Sequence, residues 1–97
     1  MDKFEIAIIR QFTSYSDILH KYRDPVIQCE YTPDEVDAVL LEKGIMTDKE
    51  KYYLSNMDKA LGVLSEMGFE LKAIFEDKMM AGQDDMICVR FFLQRRV

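Results

Sequence analysis

Apolar and polar side chains alternate at the start of the chain. Phe4, Ile6 and Ile8 occupy every second position, and the charged residue Glu5 lies between the first two. Successive side chains of a strand point to opposite faces, so a period of two is typical of a half-buried strand. The pattern therefore predicts a first strand near residues 3–12.

The same period of two returns in two segments near the C-terminus, residues 69–78 and 86–96. They predict a hairpin with its turn near Gly82. Because side chains alternate between faces, both apolar sets share one face only if the numbers of paired residues have an even sum. The predicted pairs are Leu71 with Leu93 and Phe75 with Val89. We expect this core face to include Phe69 and Phe91 and to pack on Leu61 and Leu64.

Helix-start signals occur in the middle of the chain. Thr32 is followed by Pro33 and Glu35. This is the order of a threonine cap, a proline in the first turn and a glutamate that reaches back to the cap. The helix predicted here, near residues 33–43, ends at Gly44.

A second helix is predicted over residues 48–67. It begins at the threonine-led start at 47–50 and continues with apolar residues at helical spacing. Ser55 is a rival cap for the same helix, and residues 51–54 would then be extended. The position where this helix begins stays open at the level of the sequence.

A third, shorter helix is predicted near residues 16–23. Ser14 or Ser16 would cap it. It ends before Pro25, because the residue preceding a proline is disfavoured in the helical conformation.

Together these elements predict an α+β fold in one domain over residues 1–97. We expect an antiparallel sheet of three to four strands with two to three helices packed on it. The predicted strands lie near 3–12, 69–78 and 86–96, and the short segment 26–31, rich in β-forming residues, is the fourth candidate.

The composition favours a folded protein that stays inside the cell. At 48% hydrophobic and 32% charged residues, the chain can bury a core. The N-terminus lacks the pattern of a signal peptide, and no stretch reaches the roughly 20 apolar residues that span a bilayer. The two cysteines, Cys29 and Cys88, are too few for a disulfide framework. We expect a cytoplasmic protein with reduced cysteines and no membrane partner.

The net charge of −5 opposes binding to nucleic acid or anionic lipid. The charge is also unevenly distributed. Residues 32–50 carry six acids, whereas residues 86–97 carry three arginines and no acid. This asymmetry can orient a protein partner or a second copy of the chain.

Residue types that carry catalysis are sparse. His20 is the only histidine, and a lone histidine on a short helix is more often a surface residue than a general base. Cys29, Cys88 and His20 lack the spacing of a zinc site. The acids Asp34 and Glu35 lie in a first helical turn, where the helix dipole favours negative charge. We therefore expect no enzyme, no metal and no cofactor.

The second face of the last strand carries the most informative pattern. Met86, Cys88 and Phe92 lie opposite the predicted core face, and a strand that is apolar on both faces is usually covered on both. The predicted helix 16–23 or a second subunit would provide the cover. With Ile9 beside it, this patch predicts a homodimer. The expected interaction residues are Met79, Met80, Met86, Cys88, Arg90 and Phe92.

Arg90 lies in the middle of that second face. It is interpreted either as a solvent-exposed charge or as an anchor for an acidic group. Arg10 is the second residue suited to hold an anion. These two arginines support an alternative function, the binding of a small anionic ligand in a pocket between helix and sheet.

The segment 61–71, L-G-V-L-S-E-M-G-F-E-L, followed by a final strand ending in F-L-Q-R-R, resembles a family of small uncharacterised bacterial and phage domains. That family shares a leading strand, an "L-N-x-L-G-x-x-G-W-E-L" corner from helix to strand, and a last strand with aromatic and basic residues at its end. Phe69 stands where the family has tryptophan. The resemblance covers about half of the chain and implies a strand, helix and hairpin fold without a known activity.

These observations predict a non-enzymatic protein-interaction or regulatory module. A phage-type accessory protein that acts on a host protein is the more specific form of this hypothesis. The alternative remains a binding protein for a small anionic ligand.

Overall fold

A computed structural model describes residues 3–16, 18–81 and 84–97. Two helices, α1 (Asp34–Glu42) and α2 (Met57–Glu66), lie in the middle of the chain. The strands in the described part are β1 (Phe4–Ser16), β2 (Lys21–Tyr22), β3 (Val26–Tyr31), β4 (Met46–Asp48), β5 (Tyr53–Leu54), β6 (Glu70–Ala81) and β7 (Asp84–Arg96).

These seven strands join one antiparallel sheet in the order β4-β5-β3-β1-β7-β6, and β2 pairs with the end of β1. The sheet is built around β1 and β7, which pair from Phe4 opposite Arg96 to Ser16 opposite Asp84. The prediction of a three- to four-stranded sheet with two to three helices is therefore wrong, because the chain is mostly sheet. The four predicted strands correspond to β1, β3, β6 and β7. Of the additional strands, β2 and β5 lie in segments that were predicted to be helical, and β4 lies mostly in the connection predicted between two helices.

Residues 18–20 of the predicted helix 16–23 form a turn, and β2 follows it, so this helix prediction is wrong. The Ser16 hydroxyl oxygen accepts a hydrogen bond from the backbone N–H of Leu19 at 3.2 Å. His20 has a φ of 52°, which lies outside the right-handed helical region. A serine that binds a nearby backbone N–H is found both at helix starts and in turns, so the sequence signal did not separate the two.

The segment 48–54 is also not helical. The Asp48 carboxylate accepts hydrogen bonds from the backbone N–H groups of Glu50 and Lys51, at 3.0 and 3.1 Å, and so closes a turn between β4 and β5. The helix α2 begins only after Asn56, whose side chain accepts from the backbone N–H of Lys59 at 3.0 Å. The alternative prediction, a cap at Ser55 preceded by an extended segment at 51–54, is close to the observed structure, in which the cap is Asn56 and β5 precedes it.

The helix predicted near 33–43 is α1. Its cap differs from the expectation, because Pro33 occupies the N-cap position and the Thr32 hydroxyl donates instead to the Asp37 carboxylate. Gly44 follows the helix with a φ of +70°, a conformation that glycine adopts readily. Within the described residues, neither helix has the length and apolar character needed to cross a membrane.

Both helices bury their apolar side chains on one face of the sheet. Val36 and Leu40 of α1 and Leu64 of α2 are fully buried in one cluster with Ala7 and Ile9 of β1. Ile9 therefore belongs to this core and lies opposite Phe91, not beside Phe92 as expected. The other buried members of the cluster are Cys29, Ile45, Met46, Leu54, Ala60, Val63, Phe69 and Leu93.

The predicted register of the hairpin holds at one end only. Leu71 lies opposite Leu93 as predicted, but a bulge directly after Leu71 shifts β6 by one residue. Phe75 consequently lies opposite Arg90, and the predicted pairing with Val89 is wrong. One extra residue moves all later side chains of the strand to the other face.

The predicted core face is thus only partly correct. Phe69, Leu64 and Leu93 are buried as expected. Leu71 and Phe75 are 47% and 55% exposed and lie outside the core. Half-buried side chains that pack on its margin include Leu61 and Phe91. The turn predicted near Gly82 lies outside the described residues.

Candidate functional site

The face of the sheet opposite the helices is the candidate functional site, and we call it the open face. Its position follows from alternation along β1: Ala7 and Ile9 point into the core, so Ile8 and Arg10 point away from it. The register of β1 against β7 then aligns Arg10 with Arg90. The open face consists of Phe4, Ile6, Ile8, Arg10, Phe12, Gln28, Glu30, Tyr31, Phe75, Asp77, Met86, Cys88, Arg90 and Phe92.

Large apolar side chains cover much of the open face. Phe4 and Ile6 are each 48% exposed, Phe75 is 55% exposed and Tyr31 is 61% exposed. Phe75 packs edge-to-face on Phe92, with the ring centroids 5.1 Å apart. Exposed apolar side chains grouped in this way usually mark a surface that contacts something else. The half-buried apolar members are Ile8, Phe12, Met86 and Phe92.

A band of polar side chains, which we call the polar belt, crosses the middle of the open face. Arg10 donates to the Gln28 side-chain oxygen from Nε at 3.0 Å and lies 3.6 Å from a Glu30 carboxylate oxygen. Arg90 donates from Nε to the same carboxylate at 2.9 Å, and its Nη1 lies 3.2 Å from Asp77. The hydrogen bond to Glu30 raises the pKa of Arg90 above its ordinary value. Glu30 thus holds two arginines from different strands.

The structure brings Arg10 and Arg90 together, as the anion-binding hypothesis requires, but it also supplies their counter-charges. Both arginines pair with Glu30, and Arg90 pairs with Asp77 as well. They also lie on the open face rather than between helix and sheet. The role of Glu30 was not evident in the sequence, because Arg90 lies 60 residues away from it. The acidic groups that Arg90 holds are thus Glu30 and Asp77 of the same chain.

The other predicted interaction residues have different positions. Met86 and Phe92 lie half-buried on the open face, where a partner can reach them. Cys88 lies on the same face but is 0% exposed, with Phe12 and Asp77 as its cross-strand neighbours, so it does not offer a contact surface. The side chains of Met79 and Met80 lie outside the described part of the structure.

The corner where β3 leads into α1 also carries ionisable groups with shifted pKa values. A cavity of ≈ 210 Å³ is lined there by Cys29 and Asp37, among others. Burial raises the pKa of the Cys29 thiol to about 12. Burial also raises the pKa of Asp37, although its hydrogen bond from Thr32 acts in the opposite direction. A thiol that stays protonated at neutral pH is a poor nucleophile, so the corner does not have the electrostatics of a cysteine active site.

We expect Cys29 to be unreactive towards a thiol reagent such as DTNB in the folded protein. Because its native pKa is raised above that of an unfolded thiol, Cys29 stabilises the fold below about pH 9, and this contribution is lost as the pH rises towards 12. Urea titrations between these pH values should show stability falling more steeply in the wild type than in Cys29→Ala. The difference should reach about 1.4 kcal/mol per pH unit. Parallel curves, or rapid modification of native Cys29, would contradict this assignment.

Other chemical features do not converge on a site in the described ranges. Among residues 3–16, 18–81 and 84–97, no group of three or more His, Cys, Asp or Glu side chains is arranged to hold a metal ion. His20 is exposed in the turn before β2. A shallow depression of ≈ 400 Å³ at the margin of the open face is lined by Phe4, Glu5, Ile6, Ile8, Tyr31 and Pro33.

Comparison of the chain with protein-family models and with curated proteins finds no match.

Proposed function

We propose that this chain is a non-enzymatic protein-interaction module and that the open face is its binding surface. The observation that carries the proposal is the set of exposed apolar side chains on a sheet face that faces away from both helices. Phe4, Ile6, Tyr31 and Phe75 are each 48% to 61% exposed there. Burying such side chains against a partner removes apolar surface from water, and this favours formation of the complex.

The chemistry of the open face matches a protein interface better than a small-ligand pocket. Its aromatic side chains surround two arginines, and these residue types are enriched at the centres of protein interfaces. The depression beside Ile8 is shallow and open, whereas small-ligand sites enclose most of the ligand. The ion pairs of Glu30 also satisfy the arginines that an anionic ligand would need.

Site-specific photo-crosslinking in cells tests the proposal. A photoreactive phenylalanine analogue is placed at Phe75 on the open face or, as the matched control, at Ile74. Both positions are 55% exposed and adjacent in β6, but Ile74 lies opposite Phe91 on the helix side.

We expect a discrete protein adduct from position 75 and little or none from position 74, because only the first position faces the proposed partner. The measurement is the mass and identity of the adduct. Equal adducts from both positions, or none from position 75, would show that the open face does not bind protein.

A further inference from the structure

We infer that the partner of the open face is a second copy of this chain, docked face to face about a twofold axis. This inference rests on the proposed function, because it uses the same surface and names its occupant. In such a dimer the two sheets lie in the centre and the two helix layers lie outside. Sheets that pack in this way lie about 10 Å apart and fill the space between them with side chains.

The area of the open face is close to what a stable dimer requires. β1 and β7 have 13 residues each and β6 has 12. At about 3.3 Å per residue and about 4.8 Å between strands, these three strands cover about 600 Å², and β3 adds about 100 Å². Specific interfaces bury about 800 Å² on each partner. The footprint of one open face is therefore of the same order as the accessible surface that a standard interface buries on one partner.

The shape of the chain points to the same missing layer. Its radius of gyration of 14.7 Å exceeds the roughly 12.5 Å of a compact domain of this length because the molecule is elongated. The overall dimensions are 50 × 29 × 20 Å. A thickness of 20 Å holds one sheet and one layer of helices, so residues 3–16, 18–81 and 84–97 supply no second layer over the open face. A second copy supplies that layer with another sheet.

The polar belt makes contact between identical faces electrostatically acceptable. Two copies that each carry a net charge of −5 repel one another in general. On the open face, however, Arg10 and Arg90 are balanced by Glu30 and Asp77 through ion pairs of 2.9 to 3.6 Å. The belt contains both positive and negative side chains. The arginines of one copy can therefore align with the carboxylates of the other and fix the relative position of the two copies.

Pairing of two copies along a sheet edge is less suitable. The edge strand β6 is interrupted by the bulge after Leu71 and carries the charged run Glu76, Asp77 and Lys78. Bulges and charges are the features that keep sheet edges from pairing with another chain. The opposite edge strand, β4, has only 3 residues. The face, and not the edge, is therefore the surface for self-association.

Sedimentation equilibrium at tens of micromolar protein tests this inference with a matched pair of variants. Phe75→Glu places a charge on the open face, and Ile74→Glu places the same charge at the same exposure on the helix side. We expect a wild-type dimer and an Ile74→Glu dimer, whereas Phe75→Glu should weaken dimerisation by about thirty-fold or more. Phe92→Glu should act in the same direction, and circular dichroism checks that each variant is folded.

A wild type that stays monomeric at these concentrations overturns the dimer, and so does an Ile74→Glu variant that dissociates as readily as Phe75→Glu. The crosslinking experiment keeps this failure separate from failure of the proposed function. If position 75 forms adducts only with a different protein, the open face binds protein but its occupant is not a second copy. Adducts of twice the chain mass together with a sedimenting dimer support both.

Discussion

Replacing Leu64 by alanine is expected to lower the free energy of unfolding by about 2–5 kcal/mol, because the change leaves a cavity in the core. Leu64 is 0% exposed and lies in the cluster that joins both helices to β1. The backbone N–H of Phe69 also donates a hydrogen bond to the Leu64 carbonyl oxygen at 2.9 Å, so Leu64 lies at the corner between α2 and β6. Urea unfolding followed by circular dichroism measures the effect.

The same substitution at Leu71 is the control. Leu71 is 47% exposed, so its truncation removes little buried surface and should lower stability by about 1 kcal/mol or less. Both variants are compared at one protein concentration, because self-association changes apparent stability. Equal losses at the two leucines would mean that Leu71 is packed into the core and would contradict its exposed position.

The pairing of β6 with β7 shows how far alternation in the sequence determines the fold. The alternation placed Leu71 opposite Leu93 correctly and assigned Met86 and Phe92 to one face. The prediction from alternation is wrong beyond the bulge. There the residue numbers of each β6–β7 pair have an odd sum instead of an even one. No residue type between Leu71 and Phe75 marks the bulge, because neither a glycine nor a proline occurs there. Pairing with the continuous strand β7 decides the register instead.

The helix predicted at 16–23 and the first part of the helix predicted over 48–67 are wrong for one physical cause. Ser16 and Asp48 are residue types that accept hydrogen bonds from backbone N–H groups just after them, and they do so in the structure. The same bond opens a helix or closes a turn. The outcome depends on pairing with distant strands, since β2 returns to β1 and β5 pairs with β3. The segment 26–31, in contrast, forms a strand with the predicted bounds.

The open face could be predicted in part. An apolar second face on the last strand was visible in the sequence, and the structure places exposed Phe4, Ile6 and Phe75 beside it. The polar belt could not be predicted, because Glu30 reaches Arg90 only through the order of β3, β1 and β7 in the sheet. Arg90, which the sequence offered as a ligand-binding residue, thus pairs with Glu30 and Asp77 of the same chain.

Arg95, in β7, is the second residue whose replacement we expect to lower the free energy of unfolding strongly. Its side chain is only 14% exposed and joins several elements. Nη1 donates to the Met67 carbonyl oxygen at the end of α2 at 2.9 Å, and Nη2 lies 3.1 Å from the Glu5 carboxylate on β1. Nη2 also pairs with Glu35 in the first turn of α1, and the guanidinium lies 4.6 Å from the centre of the Phe69 ring.

Replacing Arg95 by methionine should lower the free energy of unfolding by about 2–3 kcal/mol. Methionine keeps much of the side-chain volume but removes the charge, so the Met67 carbonyl loses its donor and two carboxylates are left close together. The expected loss lies below that of a fully buried ion pair because Glu35 is 55% exposed to water. Urea titration at neutral pH measures it.

Lys72→Met is the control for removing a cation from a surface pair. Lys72 lies 3.0 Å from Glu70, but the two side chains are 52% and 74% exposed, and such pairs contribute about 0–1 kcal/mol. A second test uses Glu5→Gln in the Arg95→Met background. Since neutralising Glu5 relieves its repulsion from Glu35, the double variant should recover part of the lost stability, whereas Glu5→Gln alone should destabilise the wild type. If Arg95→Met costs no more than Lys72→Met, or if Glu5→Gln adds to the loss, Arg95 does not join these elements through its charge.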